Sequence, residues 1–112
     1  MKDKVRITFA STEALKMEMQ ERIISEGYGM RGKSQWISEA IERLFLINKF
    51  EELVYLNSEM KGFEQFDTIT IEKSIKDKME RMVIEIRKIY PALEGVQSRI
   101  LRTSILQRLL RP

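Results

Sequence analysis

Lys4, Arg6 and Thr8 stand at alternate positions of the stretch KVRITFAS, interleaved with Val5, Ile7 and Phe9. In an extended strand, residues two apart share a face. One face would therefore carry an ammonium, a guanidinium and a hydroxyl, and the other would be apolar. Hydrogen-bond donors with positive charge suit an anionic, acceptor-rich surface. The alternation returns in DTITIEKS, where Thr68 and Thr70 point away from Ile69 and Ile71. A second set of groups lies at expected helix starts. GKSQ holds Lys33 and Ser34, and QSR holds Ser98 and Arg99. Free backbone N–H groups at a helix N-terminus attract anions, and Ser34 and Ser98 are expected to cap their helices.

Other chemistry is poorly served. The chain has no cysteine and no histidine, which removes disulfides, thiol catalysis and the usual zinc and triad sites. No carboxylate sits in a recognisable pairing beside a nucleophile, a phosphate loop or a metal set. The expectation is a protein that is not an enzyme and uses no metal or cofactor. No apolar run approaches the ~18 residues of a membrane span, and MKDKVRI lacks the apolar stretch of a signal peptide. A cytoplasmic protein without a membrane partner is expected. The net charge of +3 is a mild bias toward anionic partners. Between Ser98 and Pro112, Arg99, Arg102, Arg108 and Arg111 occur without an acid. They read either as a solvated face favoured by the helix dipole or as phosphate contacts.

These groups need elements to position them. A lone two-stranded ribbon is marginal in water, so the strands need each other and a helical layer. After the first strand, Ser11 or Thr12 can cap a helix over EALKMEMQERIISE, which stops at GYGMRG. Its apolar residues do not form one clean stripe. Ser34 would cap a long second helix, QWISEAIERLFLINKFEELVYL, with Trp36, Ile37, Ala40, Ile41, Leu44 and Phe45 on one face. Trp36 reads as core or rim packing rather than as a base-stacking residue. A loop near 57–66 follows, then the strand TITIE. Ser74 would cap a helix carrying Ile75, Met79, Met82, Val83, Ile86 and Tyr90 in a stripe, with SIKD as a loose capping box. Pro91 ends it, and the last helix is RILRTSILQRLL.

The order strand–helix–helix thus occurs twice. Thr8 aligns with Thr70 and Thr12 with Ser74, 62 positions apart; Ser34 aligns with Ser98 and Ile41 with Ile105, 64 apart. Two repeats, about 3–56 and 67–112, joined by a connector near 57–66, make one domain. Each half is close to the ~40-residue lower limit for an independent core.

VRITF with its capped helix, GKSQWISEAIERLF, TITIEKSI and QSRILRTSILQRLL together resemble the ribbon-helix-helix family of DNA-binding proteins (MetJ, Arc and CopG types). The tandem form resembles TraY-type relaxosome accessory proteins and the single-chain ribbon-helix-helix protein of the T-DNA transfer system. The resemblance implies a mainly α fold with a short two-stranded antiparallel ribbon, in the order β-α-α-β-α-α, folded as a pseudo-dimer. It implies double-stranded DNA as partner. Lys4, Arg6, Thr8, Thr68 and Thr70 would read bases in the major groove, and Lys33, Ser34, Ser98 and Arg99 would clamp phosphates. Phe66 takes the place equivalent to Lys4, and Glu72 would lie near Lys4, so the two strands differ.

The function so implied is an accessory factor in plasmid or conjugative DNA transfer, with protein partners in a transfer or regulatory complex. A transcriptional repressor of the same fold is the alternative. A helical protein–protein adaptor or antitoxin is the alternative of another class. Phe50, Leu53, Val54, Tyr55, Leu56 and Phe63 would then be its partner surface; otherwise they cover the core.

Overall fold

The structure is a computed structural model describing residues 3–29, 31–57 and 65–111. Strand β1 (Lys4–Ser11) pairs antiparallel with β2 (Gln65–Glu72), and these two strands form the sheet. Helices α1 (Glu13–Ser25), α2 (Lys33–Phe45) and α3 (Phe50–Leu56) lie between the strands in sequence, and α4 (Lys73–Ile89) and α5 (Val96–Leu110) follow β2. The register sets Lys4 opposite Glu72, Arg6 opposite Thr70, Ile7 opposite Ile69 and Thr8 opposite Thr68. Alternation works as expected: Ile7, Phe9, Ile69 and Ile71 are buried, while Lys4, Arg6, Thr8, Thr68 and Thr70 are exposed. Val5 is only half-buried.

Helix α5 is the centre of the helical layer. It packs against α1, α2, α3, α4 and β1, and its buried residues run from Val96 and Ile100 through Arg108. Thr103 and Ser104, in its middle, return their hydroxyls to the carbonyls of Arg99 and Ile100 at 2.7 Å each. That satisfies hydroxyls that would otherwise be costly to bury. Trp36, Ile37, Ile41 and Leu44 of α2 meet Ile100, Leu101 and Ile105 in the same core.

Among the described residues the element order is β-α-α-α-β-α-α, one helix more than expected. The long second helix is broken, with Lys49 in the left-handed region at φ 61°. Phe45 and Phe50 close across the break with ring centroids 6.2 Å apart. α3 then packs on α4 and α5 and buries Val54 completely. Burial of that apolar face favours the break, and the amides of Leu46 and Ile47 keep partners three residues back, at the Arg43 and Leu44 carbonyls. Of the residues offered as a partner surface, Phe50 and Leu53 pack partly buried against the core, and Tyr55 stacks on Tyr90 at 4.3 Å. Leu56 is exposed, and Phe63 lies outside the described residues. β2 begins at Gln65, so the end of the expected connector is strand.

Three expected caps are also corrected. Thr12 does cap α1, its hydroxyl accepting from the Leu15 amide at 3.1 Å. However, α2, α4 and α5 start two to three residues earlier than expected, after Gly32, Glu72 and Gly95, so Ser34, Ser74 and Ser98 lie inside their helices. The SIKD capping box does not form; the Ser74 hydroxyl lies 3.5 Å from Glu72. α1 closes differently, in a Schellman motif. Gly27 at φ 84° donates to Ile24, and Tyr28 donates to Ile23 at 3.1 Å. Gly32 is needed for another reason: a Cβ there would fall 2.4 Å from that of Tyr28. The repeat spacing of the first half also shifts. Glu13 starts α1 and Lys73 starts α4, and buried Leu15 and Met19 match Ile75 and Met79; each pair is 60 apart, not 62.

Candidate nucleic-acid interface

The outer face of the ribbon is built of four cross-strand pairs: Lys4–Glu72, Arg6–Thr70, Thr8–Thr68 and Ala10–Phe66. At its centre the hydroxyls of Thr8 and Thr68 are 2.9 Å apart, hydrogen-bonded to each other. Arg6 and Thr70 sit to one side of that pair, and Ala10 and Phe66 to the other. All five side chains expected to read bases therefore share one exposed face. Phe66 shares it too, 69% exposed. With the 60-residue spacing Phe66 matches Arg6 rather than Lys4.

A two-stranded ribbon has two open edges, and α2 and α5 each bond to one. On the β2 edge, Ser34 of α2 accepts from the Thr70 amide at 3.2 Å. On the β1 edge, Arg102 of α5 donates to the Ala10 carbonyl at 2.9 Å. Ala10 and Thr70 are 60 apart, so the two contacts fall at matching places. Burial, and after it the nearby charge of Arg99, lowers the pKa of the Arg102 guanidinium below its ordinary value.

The four expected phosphate contacts fare unevenly. Lys33, in the first turn of α2, is tied to Asp67, whose other bond on the same oxygen comes from the Thr68 amide at 3.0 Å. Asp67 is buried within the ribbon's inner row, opposite Phe9. Ser34 is engaged with the ribbon, as above. Ser98 and Arg99 are half-buried, and Arg99 donates its Nε to the Glu94 carbonyl at 2.7 Å. The start of α2 thus borders the ribbon with a cation and a first turn of amides, while the start of α5 folds its arginine back on the preceding turn.

Two of the four C-terminal arginines are neither solvated nor available to phosphate. Arg102 and Arg108 are buried, at 6% and 3% exposure. Arg108 stacks on Trp36 at 4.5 Å and on Tyr28 at 5.2 Å. It donates to the Trp36 carbonyl at 2.7 Å, to the Tyr28 hydroxyl at 2.9 Å and to Glu26 at 3.0 Å. A signal for this was present in the sequence. At the 64-residue spacing, Arg108 falls on Leu44, a core residue. Trp36 is fully buried, as the packing reading expected.

Among the described residues, no cluster of three or more histidine, cysteine or acidic side chains could hold a metal ion, and no helix is long and apolar enough to cross a membrane. The 430 Å³ hollow beside the ribbon is lined by Lys4, Ser34, Thr70 and Glu72 together with Glu39 and Glu42. Comparison with family models, with curated proteins and with solved structures finds no match.

Proposed function

We propose that this chain is a sequence-specific double-stranded DNA-binding protein that lays its β1–β2 ribbon in the major groove, as a tandem ribbon-helix-helix pseudo-dimer. The observation that carries the reading is the uncovered centre of the ribbon. Arg6, Thr8, Thr68 and Thr70 are exposed together, above an inner row that includes Ile7, Ile69 and Ile71 in the core. A β-ribbon of eight-residue strands is ~27 Å long at ~3.4 Å per residue, and a groove ~12 Å wide admits two strands. Arg6 suits the O6 and N7 acceptors of guanine, and the threonines can bond either way or touch a thymine methyl. The outer residues differ between strands, so the preferred site is non-palindromic, in contrast to the mirrored half-sites of a symmetric dimer.

The role in the cell is an accessory factor in plasmid or conjugative DNA transfer, working with protein partners of a transfer complex. A genomic-library footprint separates this from a repressor of the same fold: transfer predicts sites clustered at an origin, and repression predicts sites over promoters. The test of DNA binding itself is a salt titration. Contact with four to six phosphates gives a slope of log K against log salt of roughly −4 to −5. A flat response contradicts the reading and favours a protein–protein adaptor. Asp67→Asn releases Lys33 from its ion pair, so the slope steepens by about 0.9, one additional phosphate. An unchanged slope shows that Lys33 does not face DNA.

A further inference from the structure

The two first helices carry opposite charge at matching places. Glu13, Glu18 and Glu21 of α1 stand where α4 has Lys73, Lys78 and Arg81, each pair 60 positions apart. All six are exposed, and none has a hydrogen-bonded or ion-paired side chain among the described residues. Ile24 and Ile84, again 60 apart, are 65% and 57% exposed beside them. On α1, Glu13, Met17, Glu21 and Ile24 follow one stripe, at steps of four, four and three residues. On α4 the same stripe is Lys73, Asp77, Arg81 and Ile84. Lys88 of α4 also pairs with Glu85, and Arg22 of α1 reaches back to Leu109 and Glu26. Helix α4 holds six basic residues against three acidic ones, and α1 holds two against three.

We propose that the α1 face of one copy docks on the α4 face of a second copy of this chain. Charge selects the pairing. α1 against α1 sets Glu18 and Glu21 against glutamates. α4 against α4 sets Lys78 and Arg81 against cations. Only α1 against α4 opposes unlike charges over the exposed isoleucines. The contact is heterologous, because it joins two different patches and leaves a free α1 at one end and a free α4 at the other. Such a contact extends into an open chain unless its rotation closes a ring. It does not depend on the DNA reading, although copies bound side by side on DNA would gain from it.

Sedimentation of the full chain without DNA tests this. At about 50 mM salt the sedimentation coefficient rises continuously with protein concentration, and at about 1 M salt, where the Debye length falls to ~3 Å, the rise disappears. The double variants Glu18→Lys/Glu21→Lys and Lys78→Glu/Arg81→Glu each need at least tenfold higher concentration to associate. Emission from buried Trp36 confirms that both remain folded. Mixing the two variants restores association, because each supplies the charge that the other lacks. A wild type that stays monomeric at low salt overturns the proposal, as does a mixture that stays monomeric. So does a Lys78→Glu/Arg81→Glu variant that still associates but loses affinity for duplex DNA, which would assign the basic face to nucleic acid.

Discussion

Arg108→Ala should destabilise the folded chain by about 3–5 kcal/mol, the scale for removing one member of a buried ionic network. The side chain is 1% exposed and lies between the Trp36 and Tyr28 rings. Its loss leaves the Trp36 carbonyl without its 2.7 Å donor and removes two stacked contacts, each worth ~2 kcal/mol when desolvated. Glu26 and Glu39, partly exposed, lose the cation that joins them across α1, α2 and α5. Small domains are stable by only ~5–15 kcal/mol, so the variant approaches the unfolding threshold. Arg108→Lys keeps the charge but loses the planar fork that serves the Trp36 carbonyl and the Tyr28 hydroxyl together, and a buried partner left unsatisfied should cost about 1–3 kcal/mol. Urea denaturation followed by Trp36 emission measures both. A loss under ~1 kcal/mol for Arg108→Ala would show that the network is energetically neutral.

Arg6→Ala should relax base preference as well as weaken binding. A bidentate arginine–guanine contact discriminates by about 1–3 kcal/mol, roughly 5- to 150-fold in affinity. Arg6 is exposed near the centre of the ribbon, opposite Thr70 and two residues from Thr8. Its loss should cost most on a selected site and little on random duplex. Competition assays on both DNAs give the ratio. Equal losses would mark Arg6 as a phosphate contact or as plain surface.

Much of the ribbon was legible because its rule is short-range. A period of two, read over five residues, is enough to place Ile7, Phe9, Ile69 and Ile71 inside and Arg6, Thr8, Thr68 and Thr70 outside. The cross-strand nearness of Lys4 and Glu72 followed from antiparallel pairing. The break at Lys49 was not legible, because local propensity tolerates Ile47 to Lys49 in a helix and only the core beneath α3 decides against it. The serine caps failed for a related reason. Ser34 finds a better acceptor role at the ribbon edge, with the Thr70 amide, than at its own helix start. Arginines near a C-terminal helix end read as dipole partners. Arg108 instead sits at a core position, where two aromatic faces and several acceptors make burial of a guanidinium tolerable.

The most direct test of major-groove reading is a selected duplex site remade with 7-deazaguanine, which removes the N7 acceptor from the major groove and leaves the minor groove unaltered. The account predicts at least about a fivefold loss of affinity for the native chain, equivalent to ~1 kcal/mol. It predicts no further loss for Arg6→Ala, which has no guanidinium to lose the contact. Undiminished binding of the native chain to the 7-deazaguanine duplex, or a random pool from which no duplex is enriched, would contradict it.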